Sequence, residues 1–203
     1  TPDGRVNIPG FYDAVVEPLL SGRAFFNRVP LRLWPMPVEG MLSPQSADRI
    51  RLAPGSAAML EQYLTQCASH FEQKGWLDRC YALAPESSSE AVRRFAGSVH
   101  AANGRVAVAS RGFPQDMRPY GWPDFPYTDL SDSVDIWMPP AQFYDVEAMA
   151  QERKKGRRTW LAADRPPFSG STSIHSPSWY TRVLPWQTEE LGAQVMSIGG
   201  VNS

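Results

Sequence analysis

The chain has 203 residues and a mass of 22.6 kDa, with 42% apolar residues, 20% charged residues and a formal net charge of -1. That length can bury a substantial core, and that balance excludes a disordered polyelectrolyte. Near-neutral charge without a long basic run argues against nucleic acid as the main partner, and no apolar run is long enough to cross a bilayer.

Taken in order, 1–10 reads as a loop. Phe11 to Leu20 has helical apolar spacing interrupted by Pro18, and Gly22 closes it. Val29 to Trp34 alternates like a strand and meets Pro35 and Pro37, and a loop rich in Ser, Pro and Gly follows from Val38 to Gly55. Ser56 opens a helix. Met59, Leu60, Tyr63, Leu64, Cys67 and Phe71 lie at i, i+3, i+4 spacing along it, and Gly75 ends it. Cys80 to Ala84 is a buried strand stopped by Pro85. Ser87 with Glu90 fits a capping box for a helix whose apolar face is Val92, Phe95, Ala96 and Val99. Val106 to Ala109 is the next strand, and a long aromatic, proline-rich loop runs from Arg111 to Ser133.

The organising stretch follows. Val134 to Met138 is a short apolar strand ended by Pro139-Pro140, which cannot continue a ladder because proline has no N–H to donate. Asp145 is the expected N-cap of a helix with Val146, Met149 and Ala150 on its apolar face and Glu152, Arg153, Lys154 and Lys155 on its solvated face. The cations fall in the last turn, where the helix dipole favours them, and Gly156 is the expected C′ stop. Thr159 to Ala163 resumes as an apolar strand, broken by Asp164 and Pro166-Pro167. After a polar loop, Tyr180 to Leu191 makes a helix and Gln194 to Ile198 a last strand.

Strands alternating with helices predict an α/β fold with a mainly parallel sheet. A (β/α) TIM-like barrel with missing strands fits better than a doubly wound sheet, since no Gly-x-Gly-x-x-Gly or P-loop is present. The expectation is one barrel-type domain over 1–203, truncated at one or both ends, because the chain starts at Thr1 and stops in a glycine-rich run. No signal peptide is visible.

In a barrel, residues just after the strands crowd one mouth, where chemistry sits. The strand exits supply Trp34, Glu86, Arg111, Asp135, Trp137, Asp164 and Asn202. Glycoside hydrolysis uses two carboxyl groups about 5–9.5 Å apart. Glu86 is the candidate acid, its rival role being to cap the helix at Ser87. Asp135 is the candidate second carboxylate, its rival role being an ion pair with Arg182. The chain holds 19 prolines and 7 tryptophans, and Trp34, Trp122, Trp137 and Trp186 stand beside strand exits, with Trp160 inside its strand. Aromatic rings there suit the apolar face of a sugar; taken one at a time, each reads as packing. His70 and His100 read as surface groups on helices, and His175 lies in a Ser-rich loop. Cys67 and Cys80 read as two buried thiols, the alternative being a disulfide between them. No motif for a metal, a nucleotide or a Ser/His/Asp triad appears, and no cofactor is expected.

The run VDIWMP, the helix ending in Lys-Lys-Gly, the strand RRTWLAA and the stretch TRVLPWQTEELGAQVMSIGGVN carry a resemblance. They resemble the catalytic barrel of the glycoside hydrolase family 123-like group, also known as the DUF4091 domain. Asp135, Trp137, Pro139, Arg153, Gly156, Trp160, Arg182, Leu184, Pro185, Trp186, Gln187, Gly192 and Ala193 match its pattern. The likeness covers roughly Gly75 to Asn202, with a weaker echo in FYDAVVEPLLSGRAFF. It implies a TIM-like barrel acting on a terminal N-acetylhexosamine by substrate assistance, with an Asp and a Glu drawn from an Asp-Glu-Pro motif. The chain departs there, with Ala84-Pro85-Glu86 and no preceding Asp.

The leading expectation is therefore a glycosidase-like protein with Glu86 and Asp135 as carboxyls. Trp34, Trp137, Trp160, Asp164, Arg182, Trp186 and Asn202 would contact the sugar. The alternative is a non-catalytic carbohydrate-binding or structural barrel that has lost the Asp-Glu pair. The expected partners are a carbohydrate and further domains or chains that complete the barrel. The expected location is extracellular or periplasmic.

Overall fold

The structure is a computed structural model, and it describes residues 11–38, 56–85, 89–112, 130–163, 166–172 and 176–198. Among them are five α-helices: α1 (Phe11–Leu20), α2 (Ser56–Gln73), α3 (Ser89–Ala102), α4 (Val146–Lys154) and α5 (Trp179–Glu190). Six strands accompany them: β1 (Trp34–Pro35), β2 (Cys80–Leu83), β3 (Ala107–Ser110), β4 (Ile136–Trp137), β5 (Arg158–Ala162) and β6 (Val195–Ser197). The strands neighbour one another in chain order, and β1–β2, β3–β4, β4–β5 and β5–β6 pair in parallel. The protein is thus α/β with a parallel six-stranded sheet, as the alternation of apolar runs and amphipathic stretches predicts. The strands are short because prolines cut them: β1 ends at Pro35, and Pro139 and Pro140 follow β4 closely.

The chain divides into two compact units, Thr1–Ser87 with Arg93–Val108, and Ser88–Val92 with Ala109–Ser203. In the first, α2 buries Leu60, Leu64, Cys67, Ala68 and Phe71 at i, i+4, i+7, i+8 and i+11. Met59, predicted on that face, is 65% exposed, because one residue of offset turns it about 100° away from Leu60. Val16 and Leu20 bury the matching side of α1, and the Leu20 carbonyl left over at its end accepts from Arg79 Nη1 at 2.7 Å. The strand predicted over 29–34 shrinks to β1. Val29, Pro30 and Arg32 are exposed, so nothing holds that stretch in a ladder. Cys67 and Cys80 are free and buried.

In the second unit, β4 and most of β5 are buried on both faces, the usual state of a parallel strand covered by helices. Asp145 caps α4 as predicted, accepting from the Ala148 amide at 2.9 Å. Gly156 takes φ 85° just past the helix, a conformation that L side chains rarely adopt. Two expectations for α4 are corrected. Val146 is 46% exposed, because it opens the helix before the buried stripe begins. Glu152 is 3% exposed instead of solvated: it lies three residues past Met149, and so shares the buried face. Among the described residues, no helix is long and apolar enough to cross a membrane.

Candidate functional site

In parallel α/β sheets generally, ligands bind beyond the strand ends, and the two ends of these strands differ in chemistry. Two groups of ion pairs stand just ahead of strands. Asp135 directly precedes β4 and pairs with Arg157 Nη1 at 3.0 Å, while Arg157 Nη2 donates to the Ser131 carbonyl at 2.7 Å. In the first unit, Arg105 bridges Glu72 and Asp78 at 2.7 and 2.6 Å just ahead of β3. In the same unit, between α1 and the end of α2, His70 Nε2 donates to Asp13 Oδ1 at 2.7 Å and Lys74 reaches Asp13 Oδ2 at 2.9 Å. His70, predicted on the surface, is largely buried in this cluster, with its ring edge-on to Trp76.

The C-terminal ends carry little charge. Among the described residues, the first ones past each strand are Met36 to Val38, Ala84 and Pro85, Arg111 and Gly112, Met138 to Pro140, Ala163, and Ile198. Arg111 is the sole ionisable side chain in that set. The end of β2, where the resemblance expects an acidic motif, presents Leu83, Ala84 and Pro85. The connection from β4 to α4 is polar in a different way. Gln142 Oε1 and the Tyr144 hydroxyl are buried there with no hydrogen-bond partner among the described residues. Such groups cost about 1–3 kcal/mol each and mark a place where the fold leaves polar capacity unused.

The sequence-predicted site is not gathered at one strand end. Asp135 stands before β4 rather than after it, because the strand begins at Ile136, and its carboxylate pairs with Arg157 where an ion pair with Arg182 was expected. Arg157 directly precedes β5, which begins at Arg158, just as Asp135 directly precedes β4, and the parallel register that sets Ile136 beside Arg158 brings the two together. Trp137 is 0% exposed and donates its Nε1–H to Glu152 Oε2 at 2.9 Å, and Trp160 is 2% exposed. Neither offers a face to a sugar; both are core. Trp34 is half-buried in β1, opposite Cys80. Arg182 and Trp186 lie on the outward side of α5, whose inward side is marked by buried Leu184. Glu86, Asp164 and Asn202 lie outside the described residues, as do Trp122, His175 and the Ser87 of the predicted capping box.

What sequence reasoning missed is Glu152 and Arg157. Glu152 accepts from Trp137 and from Lys155 Nζ at 2.6 Å, and the i, i+3 spacing from Met149 was the available signal. Among the described residues, no group of three His, Cys, Asp or Glu side chains is placed to hold a metal. No protein-family model and no curated protein matches the sequence.

Proposed function

We propose that this protein is a non-catalytic carbohydrate-binding member of the (β/α)-barrel type, built like a glycosidase but without its acid pair. The observation that carries the reading is the absence of a carboxylate from the first described residues past the strands. Leu83-Ala84-Pro85 closes β2, and Asp135 stands ahead of β4, bound to Arg157. Hydrolysis of a glycosidic bond uses two carboxyls flanking that bond, and a carboxylate fixed to an arginine at the opposite end of its strand does not flank anything held at the mouth. The sugar itself is supported by the family resemblance and by exposed tryptophans. An extracellular or periplasmic setting goes with such a ligand, as do further domains or chains that complete the barrel.

A second reading is kept by one residue. Glu86 follows Pro85 in the sequence, and a carboxyl there would serve as the acid of a glycosidase acting on a terminal N-acetylhexosamine. Chromogenic N-acetylhexosaminides, hexosides and pentosides separate the two. The binding reading expects no turnover by the wild type and unchanged glycan affinity in Glu86→Gln. Turnover that Glu86→Gln abolishes would replace it with the enzyme reading.

A further inference from the structure

The stretch between α1 and β1 is held in one shape although its tip packs on nothing. The chain leaves at Leu19 and returns at Leu31, where the Leu31 amide donates to the Leu19 carbonyl at 3.1 Å. Inside that excursion the Phe25 amide donates to the Gly22 carbonyl and the Arg28 amide to the Phe25 carbonyl, both at 3.1 Å. Asn27 Oδ1 accepts from the Val29 amide at 3.2 Å. The two limbs meet at Gly22, whose φ of 79° and missing Cβ admit the Arg28 carbonyl. Arg28 itself holds φ 57°, a region that non-glycine residues rarely occupy. Midway along the excursion stands Phe26, at 106% exposure. Val29 is 53% exposed, and Pro30 is exposed beside it. Arg23, Arg28 and Arg32 flank this apolar tip and are all exposed, and the sequence between Glu17 and Glu39 holds no carboxylate. The Arg23 guanidinium reaches Glu17 at 2.7 Å, while those of Arg28 and Arg32 pair with no carboxylate among the described residues.

We propose that this loop rests on the surface of an anionic lipid bilayer, with Phe26 and Val29 entering the headgroup boundary. The order of the chemistry selects that occupant. A bilayer presents anionic headgroups over an apolar layer, and the loop presents cations on either side of a projecting ring. A soluble polyanion offers nothing to a bare phenyl group. A protein partner would need walls shaped to receive the ring, whereas a fluid bilayer needs no preformed shape. Fixing the loop before contact removes the cost of ordering it on binding, which gives the positive φ at Arg28 a use. Each arginine near such a surface strengthens partition about fivefold, so the attachment is reversible and needs no spanning helix. The proposal goes beyond the carbohydrate reading and stands or falls apart from it.

The test is cosedimentation of the full chain with vesicles of mixed phosphatidylglycerol and phosphatidylcholine, with pure phosphatidylcholine vesicles and soluble heparin as comparisons. The wild type should sediment with the anionic vesicles, hardly at all with phosphatidylcholine, and less as salt is raised. Phe26→Ala should weaken partition at least about tenfold. Arg28→Gln and Arg32→Gln together should weaken it about 25-fold. Phe168→Ala, which removes an exposed aromatic ring from the other unit, should change nothing. Phe26→Trp should bind as the wild type does, and its added emission should be quenched by brominated acyl chains. Circular dichroism should be the same for all variants, as these side chains are exposed. No sedimentation with anionic vesicles overturns the proposal. So does sedimentation that Phe26→Ala leaves unchanged and heparin competes away, which would make the loop a contact for any polyanion. Self-association of the wild type without lipid, relieved in Phe26→Ala, would overturn it in favour of a contact between copies.

Discussion

Glu152 shows how one side chain is fixed by its neighbours rather than by its type. A buried carboxylate is costly unless it is paired and hydrogen-bonded, and this one has both: the Trp137 indole at 2.9 Å and Lys155 at 2.6 Å. Removing it strands the indole N–H of a tryptophan that is 0% exposed. Glu152→Ala is expected to cost about 3 kcal/mol, a lost charged hydrogen bond plus an unsatisfied donor. Glu152→Gln keeps an acceptor for the indole and loses only the half-exposed lysine, so it should cost about 1 kcal/mol. Urea unfolding followed by tryptophan fluorescence measures both. Equal losses for the two variants would show that the indole contact contributes nothing.

At the scale of elements, α1 and α2 are joined through a carboxylate that two basic side chains share. Burial pushes the Asp13 carboxyl up. Hydrogen bonds from His70 and Lys74, with their charges, outweigh it and hold the group below the usual carboxylate range. Asp13 in turn raises Lys74, chiefly through the hydrogen bond it accepts. The signs give a window. The Asp13 contribution is fully present above its unfolded value, about pH 3.9, and is lost as pH falls through the lower folded value. The Lys74 contribution is present below about pH 10.4 and is lost as pH rises through its raised folded value. Asp13→Asn should therefore flatten the loss of stability between pH 5 and 2, about 2 kcal/mol of it arising from hydrogen bonds to a charged group. Denaturant midpoints measured across that range test it; an acid limb as steep as in the wild type would remove Asp13 from the account.

For the molecule as a whole, the two thiols report on whether the unit that holds them opens. Cys67 and Cys80 come from α2 and β2, and both are buried, at 0% and 4% exposure. Burial pushes Cys67 up to about 11, although a hydrogen bond with Tyr63 opposes it, and burial with the nearby Cys67 pushes Cys80 up to about 12. At neutral pH both are protonated and covered, and the thiolate is the reactive form. Alkylation of the native chain at pH 8 is expected to be at least a hundredfold slower than in denaturant, and both cysteines should react together. One thiol labelling rapidly in the native chain would mean that α2 or β2 opens locally, independently of the other.

What was legible from residues alone was period and punctuation. Apolar runs of four or five residues cut by proline gave the strands at Cys80 and Thr159, and i, i+4 stripes gave α2 and α3, because backbone hydrogen bonding and burial act over a few neighbours. Asp145 and Gly156 could be read as the ends of α4 for the same local reason. Which strand end a side chain occupies was not legible. Asp135 looked like part of a mouth until the start of β4 at Ile136, and the register that sets Ile136 beside Arg158, put it ahead of the strand with Arg157. Nor did tryptophan content separate core from surface: Trp137 and Trp160 are enclosed by the sheet's neighbours, while Trp179 and Trp186 face water. Sequence fixes which groups are near in the chain; contact between groups far apart depends on register and on the rotation of each helix about its axis, and those are settled only when the pieces pack.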